Sequence, residues 1–495
     1  MRYVSTRDKN VRVTAAEAIA KGLAGDGGLF VPETIPALPE GAIPALCAMD
    51  YHRRAVYVMK LFLEDYSEAE LTDFAARAYS AAHFDAPAVA PTVPLDGDTH
   101  VLELWHGPTC AFKDMALQIL PYFLTAAIEK TGDSRSVCIL VATSGDTGKA
   151  ALEGFRDVAR TKIMVFYPEN GVSAVQKLQM TSQEGENVGV CAVKGNFDDA
   201  QSGVKAIFSD AAFARLADER GWILSSANSI NWGRLLPQIV YYISAYCDLV
   251  NDGTVACGEP IDFCVPTGNF GDILAGYYAK RMGLPVRTLL CASNRNDVLT
   301  DFIRTGVYDR NRPFYTTVSP SMDILISSNL ERLLYHVSGA DDAQTAGYMK
   351  QLSESGRYTV SDAVRKGVQS LFAAGSCTDE ETKKVIGRVF REKGMLLDTH
   401  TAVACGVLEK YRRETGDGTH CVLVSTASPY KFCPAVLEAL GHPQAGEGPE
   451  LIGRLAEVSG TASPRPLRDL ASRKPRFTQS VEKDAMPAVV EAFLK

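Results

Sequence analysis

The spacing of apolar positions changes several times along the chain, and each change marks a new kind of element. Near the start, Thr14-Ala-Ala-Glu17 has the spacing of a capping box and predicts a short helix to Lys21, which the turn Gly25-Asp-Gly-Gly28 must end. Leu29-Phe-Val31 reads as a strand. Residues 50–83 carry a helical period, whereas Pro87, Pro91 and Pro94 forbid a helix over 85–98 and mark a boundary. From 137 onward, short β-branched runs alternate with helices: Val137 to Ala142, the turn Thr143-Ser-Gly-Asp-Thr-Gly148, a helix to about Ala159, then Ile163 to Tyr167. The same order returns in Ile261 to Val265, Pro266-Thr-Gly-Asn-Phe-Gly271, a helix to Met282 and Val286 to Cys291. It returns again from Cys421 to Ser425 through Thr426-Ala-Ser-Pro429 into a helix ending at Leu440. Between Leu299 and Met395 no such runs are apparent, and Asn329 to Val337, Ala340 to Ser353 and Thr378 to Lys393 read as helices. After Gly441 the chain is rich in Gly and Pro, with a last helix expected from Met486 to Leu494. The expected fold is α/β, with two open parallel sheets. An N-terminal α+β domain spans 1–95, the two-part core 96–300 and 396–441, a mostly helical insertion 301–395 and a C-terminal extension 442–495.

Composition narrows the class of function. Across 495 residues, 46% are apolar and 22% charged, the balance of a folded globular protein rather than a disordered or fibrous one. Lys and Arg number 51 against 59 Asp and Glu, a net charge of −8 that gives no basic field for nucleic acid or an anionic membrane, so any bound anion must be held by a local site. No apolar run approaches the ~18 residues of a membrane span, and the first residues lack the apolar core of a secretion signal, so the cytoplasm is the expected compartment. The twelve cysteines contain no CxxC pair and sit mostly in apolar segments, which predicts free buried thiols rather than a disulfide or metal framework.

In open α/β sheets, ligands bind beyond the carboxyl ends of the strands, where turns into helices expose backbone N–H groups. Thr267-Gly-Asn-Phe-Gly271 is such a turn and can hold a phosphoryl group, although an ordinary tight βα connection has the same composition. Asp272 would repel a phosphate there, so it is expected to cap the helix and point away. Residues 143–148 offer hydroxyls and amides at a second helix start, suited to a carboxylate or phosphate or to capping their own helix. Neither turn has the spacing of a Walker loop or a dinucleotide fingerprint. Lys113 follows an apolar, aromatic phrase and precedes Met115 to Leu120; a lysine desolvated there has the lowered pKa of a Schiff-base amine, whereas one at the surface would merely lie along it. His106 suits either a structural hydrogen bond or proton transfer.

HGPTCAFKD around Lys113, SGDTG at 144–148, NSINWGRLLPQ at 228–238, PTGNFGDILAG at 266–276, SPSMDI with SSNLERLL within 319–334, and STASPYKF at 425–432 together resemble the threonine synthase family, pyridoxal-phosphate enzymes of the fold-type II group. The opening YVSTRDKNVRVTAAEAIAKGLAGDGGLFVPE is similar to that family's N-terminal domain, and the resemblance continues in order from residue 3 to about 440. It implies that Lys113 carries pyridoxal 5'-phosphate, that Gly268, Asn269, Phe270 and Gly271 cradle its phosphate, and that Thr426 faces the pyridine nitrogen. The same resemblance implies that Ser144, Gly145, Asp146 and Thr147 grip a substrate α-carboxylate, with Asp146 standing where many relatives have asparagine. A second phosphate is expected against Asn228, Ser229 and Arg234, the first two at a helix start that Asn228 would otherwise merely cap. The implied reaction converts O-phospho-L-homoserine and water to L-threonine and phosphate in a monomer or homodimer without metal, nucleic-acid or membrane partners. Another lyase or synthase of the same fold, or a silent binding protein derived from it, are the competing readings.

Overall fold

The computed structural model describes residues 1–495 apart from Ser144, Gly171 and Glu447. At the N-terminus, Tyr3–Ser5 lies between Arg12–Val13 and Phe30–Pro32 in an antiparallel sheet. The helix Ala15–Lys21 opens with the expected capping box: the Thr14 hydroxyl accepts from the Glu17 amide at 3.2 Å, and the Glu17 carboxylate accepts from the Thr14 amide at 2.7 Å. The helical stretch 50–83 is two helices, Tyr51–Phe62 and Glu68–Ala78, because Ser67 and Glu70 form a second capping box that restarts the helix after Leu63.

Two sheets form the core. The larger runs in the spatial order Phe372–Ser376, Val286–Ser293, Ile261–Pro266, Cys421–Ser425, Thr99–Glu103, Thr92–Asp96, parallel throughout except for the last pair. The smaller is fully parallel, in the order Ser480–Val481, Val188–Val193, Thr161–Pro168, Ser136–Ala142, Trp222–Ser225. The central strands are mostly apolar because helices cover both faces; Ile261–Pro266 is buried at every residue, its one charged member, Asp262, being paired with Arg287. The helix Trp232–Asn251 is buried along most of its length and packs against Gly271–Met282 and Tyr51–Phe62.

Two segments depart from the reading of the pattern. The region 301–395 is mostly helical but also holds the hairpin-like pair Val307–Asp309 and Arg357–Thr359, and Phe372–Ser376, the edge strand of the larger sheet. That edge strand reads Phe-Ala-Ala-Gly-Ser and has no β-branched residue, so its strand state comes from pairing with Val286–Ser293 rather than from local preference. The C-terminal region is likewise built into the core. Ser480–Val481 extends the smaller sheet, and the helix Met486–Phe493 seats Met486, Val490 and the following Leu494 against Met164 and Phe166. All twelve cysteines are free and most are buried. Among the described residues no helix is long and apolar enough to cross a membrane, and no group of His, Cys, Asp and Glu is arranged to hold a metal ion.

Candidate active site

The chemistry-bearing turns lie at the carboxyl ends of parallel strands: 143–148 after Ser136–Ala142, 267–271 after Ile261–Pro266, and Thr426 after Cys421–Ser425. Lys113 immediately precedes the short helix Asp114–Leu117 and is tied to Thr426 through the main chain. The Phe112 amide donates to the Thr426 carbonyl at 2.8 Å, beside an isolated bridge between Ala111 and Ala427. The loop before the lysine is fixed by Asp114, whose carboxylate accepts from the amide and hydroxyl of Thr109, both at 2.8 Å. Burial raises the Asp114 carboxyl to about 7.

Lys113 keeps 11% side-chain exposure, with its amine 4.7 Å from the Phe112 ring centre and 4.0 Å from Asp146 Oδ2. Burial lowers its amine to about 8; Asp146 opposes that fall, while the charges of Lys431 and Arg234 add to it. Asp146 Oδ1 accepts from the fully buried Lys431 Nζ at 2.7 Å and from Gln176 Nε2 at 2.9 Å. Burial alone would raise this carboxyl, but Lys431 and Lys113 hold it well below the usual range. The Asp146 side chain is thus committed to Lys431 and Gln176, and what the turn leaves free for an anion is main chain. Neither the Asp146 nor the Thr147 amide, both in the first turn of the helix Asp146–Phe155, has an acceptor among the described residues. Gly145 sits at φ +147, where a Cβ would fall 2.5 Å from the Gln176 side chain, so only glycine permits this entry to the helix. Ser144 lies outside the described residues.

In the second turn, the Gly268 carbonyl accepts from the Ser327 hydroxyl at 2.8 Å and the Asn269 carbonyl from the Asn329 amide at 3.1 Å. With these carbonyls engaged, the amides of Gly268, Asn269, Phe270 and Gly271 have no acceptor among the described residues. Phe270 adopts φ +63, which bends the loop into a concave row of N–H groups at the start of the helix Gly271–Met282. A Cβ on Gly268 would lie 2.6 Å from the Ser321 carbonyl oxygen. Asp272 does point away from the loop, but it makes no cap: its Oδ1 accepts from the Tyr241 and Tyr242 hydroxyls, each at 2.7 Å, and burial raises it to about 6.

The third segment differs from expectation in its helix start. Asn231, not Asn228, caps Trp232–Asn251, accepting from the Gly233 amide at 2.9 Å, because residues 226–230 make a turn before the helix. Asn228 is exposed and Ser229 half-buried; the Ser229 carbonyl accepts from Asn329 Nδ2 at 3.2 Å. Arg234 is 5% exposed, donates to the Ala227 carbonyl at 2.8 Å, and makes no ion pair among the described residues, where its Nε also has no partner. Burial lowers its guanidinium to about 10. A desolvated cation left in this state is a ready anion site. His106, held between Asp85 at 2.7 Å and Glu103 at 2.9 Å and stacked on Trp105, is a structural histidine.

Comparison with known proteins matches this arrangement to families. Models described as threonine synthase N terminus, pyridoxal-phosphate dependent enzyme, and threonine synthase C-terminal match residues 2–79, 94–427 and 401–493. The threonine synthase of Pseudomonas aeruginosa is 40% identical over 462 residues, covering 92% of this chain and 93% of its own length. The chain belongs to the threonine synthase family. Threonine synthase-like 1 of Homo sapiens is 43% identical over 453 residues, covering 89% of this chain; this family member is longer, and the match spans 60% of its length. The PLP-bound threonine synthase structure from Brucella melitensis superposes with a TM-score of 0.88 at 39% identity, covering 100% of this chain and 98% of that one.

The family's cofactor is pyridoxal 5'-phosphate, and the residues present fit it. Among the described residues, the four unengaged amides of 268–271 suit its phosphate, the Lys113 amine has a pKa suited to its aldehyde, and the buried Thr426 has no charged partner. Pattern reading missed Lys431, Gln176 and Asn231 as parts of the site. Lys431 carried the same signal as Lys113, a single lysine inside an apolar phrase of the STASPYKF segment.

Proposed function

We propose that this chain converts O-phospho-L-homoserine and water to L-threonine and phosphate. The γ-carbon loses its phosphate and gains a hydrogen, while the β-carbon loses a hydrogen and gains the hydroxyl of water, whose remaining proton goes to the phosphate. The observation that carries the reading is Arg234, a buried guanidinium without an acidic partner among the described residues, whose charge is felt at the Lys113 amine and which lies on a different element from the 268–271 loop. Two phosphates, one of the cofactor and one of the substrate, call for two anion positions.

Lys113 Nζ anchors the cofactor and, once released, takes and returns protons at the substrate's α-carbon. Gly268, Asn269, Phe270 and Gly271 hold the cofactor phosphate by their amides. Bound pyridoxal phosphate supplies an electron sink for charge developing next to the substrate nitrogen. Thr426 offers the pyridine nitrogen a hydroxyl rather than a carboxylate, so that nitrogen is not held protonated. The 144–147 turn orients the substrate carboxylate through main-chain donors, and Arg234, with Asn228 and Ser229 at the preceding turn, holds the leaving phosphate. Incubation with O-phospho-L-homoserine should release phosphate and threonine in equal amounts. Phosphate accompanied by a 2-oxo acid and ammonia, without threonine, overturns the reading.

A further inference from the structure

Lys431 and Thr109 are 322 positions apart in sequence, yet the Lys431 amine donates to the Thr109 carbonyl at 2.9 Å and to Asp146 Oδ1 at 2.7 Å. Both side chains of this pair are sealed from solvent, at 0% and 3% exposure. Ion pairs buried this deeply gain little stability over apolar packing, so their position matters more than their strength. Here the second carboxylate oxygen of the pair faces Lys113 Nζ at 4.0 Å, and Gln176 holds the first from another side. We propose that Lys431 and Asp146 form a fixed charge couple that sets the protonation of the Lys113 amine, Lys431 being a positioning residue that acts through Asp146.

The charged groups around the Lys113 amine are Asp146, Lys431, Arg234 and Asp114, with Asp272 near enough to feel its charge. An amine must be unprotonated to condense with an aldehyde, and burial pushes Lys113 in that direction. Asp146 alone at this distance would oppose the effect by stabilising the ammonium. Lys431 prevents that by engaging the same carboxylate, so the couple holds charge near the amine without adding net charge.

The couple predicts substitutions of opposite sign. The full chain, freed of cofactor, is labelled with limiting acetic anhydride across pH and Lys113 acetylation is followed by peptide mass spectrometry. Neither substrate nor cofactor is used, so failure here is distinct from failure of the proposed reaction, although the importance of the result rests on Lys113 being the cofactor lysine. Asp146→Asn leaves two like charges side by side and should lower the midpoint of Lys113 from about 8, making it several-fold more reactive at pH 7, with full deprotonation setting a ceiling of about tenfold. Lys431→Met leaves Asp146 to pair with Lys113 and should make it at least about tenfold less reactive. Lys431→Arg should stay near the wild type. A purely structural role predicts instead that both losses loosen the site and shift Lys113 toward ordinary lysine behaviour in the same direction. Equal or same-sign shifts overturn the proposal. If Lys431→Met does not fold, Asp146→Asn decides alone through the pH midpoint of labelling, since loosening exposes Lys113 and moves that midpoint up whereas the proposed couple requires it to fall.

Discussion

Replacing Arg234 with methionine separates stability from function. Burial takes the guanidinium from 12.5 to about 10, which corresponds to about 3 kcal/mol set against the charged side chain in the folded protein. The sign is that of a cation whose folded pKa is lowered: the penalty is present at every pH below about 10 and disappears only where the group deprotonates. Methionine removes that cost but also the bond to the Ala227 carbonyl at 2.8 Å, a loss of about 1.5–3 kcal/mol for a bond to a charged group. The two nearly cancel, so the variant should unfold in urea within about 1 kcal/mol of the wild type, whereas losing one member of a buried structural ion pair costs about 3–5 kcal/mol. Turnover should move differently. Loss of a charge-assisted contact to the leaving phosphate should lower kcat/KM for O-phospho-L-homoserine by roughly ten- to a hundredfold, with the visible absorption of bound cofactor unchanged. Urea unfolding followed by circular dichroism, steady-state phosphate release and an absorption spectrum test all three. A variant that loses more than about 3 kcal/mol while keeping wild-type kcat/KM would show that Arg234 is structural, and loss of cofactor would place it at the other phosphate.

Lys113→Ala should abolish covalent cofactor attachment and lower turnover by roughly 10²–10⁴-fold or more; borohydride reduction and peptide mapping check this, and a phosphopyridoxyl label on another lysine refutes it. Thr426→Ser should remain active, whereas Thr426→Asp should protonate the pyridine nitrogen and shift products away from threonine, as amino-acid analysis would show; an Asp variant with wild-type rate and product contradicts the role given to the hydroxyl. Gly268→Ala puts a methyl group 2.6 Å from the Ser321 carbonyl oxygen, an overpacking cost of about 1–3 kcal/mol that should appear as weaker cofactor binding in equilibrium dialysis. Unchanged cofactor affinity would show that the loop does not bear on the phosphate.

Strands rich in apolar residues, such as Ser136–Ala142 and Ile261–Pro266, were legible because burial on both faces demands apolar residues at nearly every position. Phe372–Ser376 was not, since an edge strand of small residues takes its conformation from its neighbour. The restart at Ser67 was visible in principle as Ser followed by Glu three residues later, but the apolar period runs on across the break. Within the site, the glycine loop and Lys113 stand out locally because their chemistry shows in adjacent residues. The Asp146, Lys431 and Gln176 cluster does not, because three separate segments supply it and only the packed chain makes them neighbours. Asn231 displaced Asn228 as the cap because residues 226–230 turn before the helix can begin.

The bridge between Ala111 and Ala427 and the amide of Phe112 on the Thr426 carbonyl also set a time at which the site can exist. Strand Thr99–Glu103 finds its parallel partner only when Cys421–Ser425 has been made. On a ribosome, the first 420 residues therefore emerge with Lys113 beside an unfilled place in the sheet. Closing a loop of that length costs only slightly more than closing one half as long, because the entropy grows with the logarithm of length, but the partner must first be synthesised. A nascent chain stalled before residue 421 should accordingly bind no cofactor however well its earlier helices have formed, and capture of pyridoxal phosphate marks completion of the central sheet.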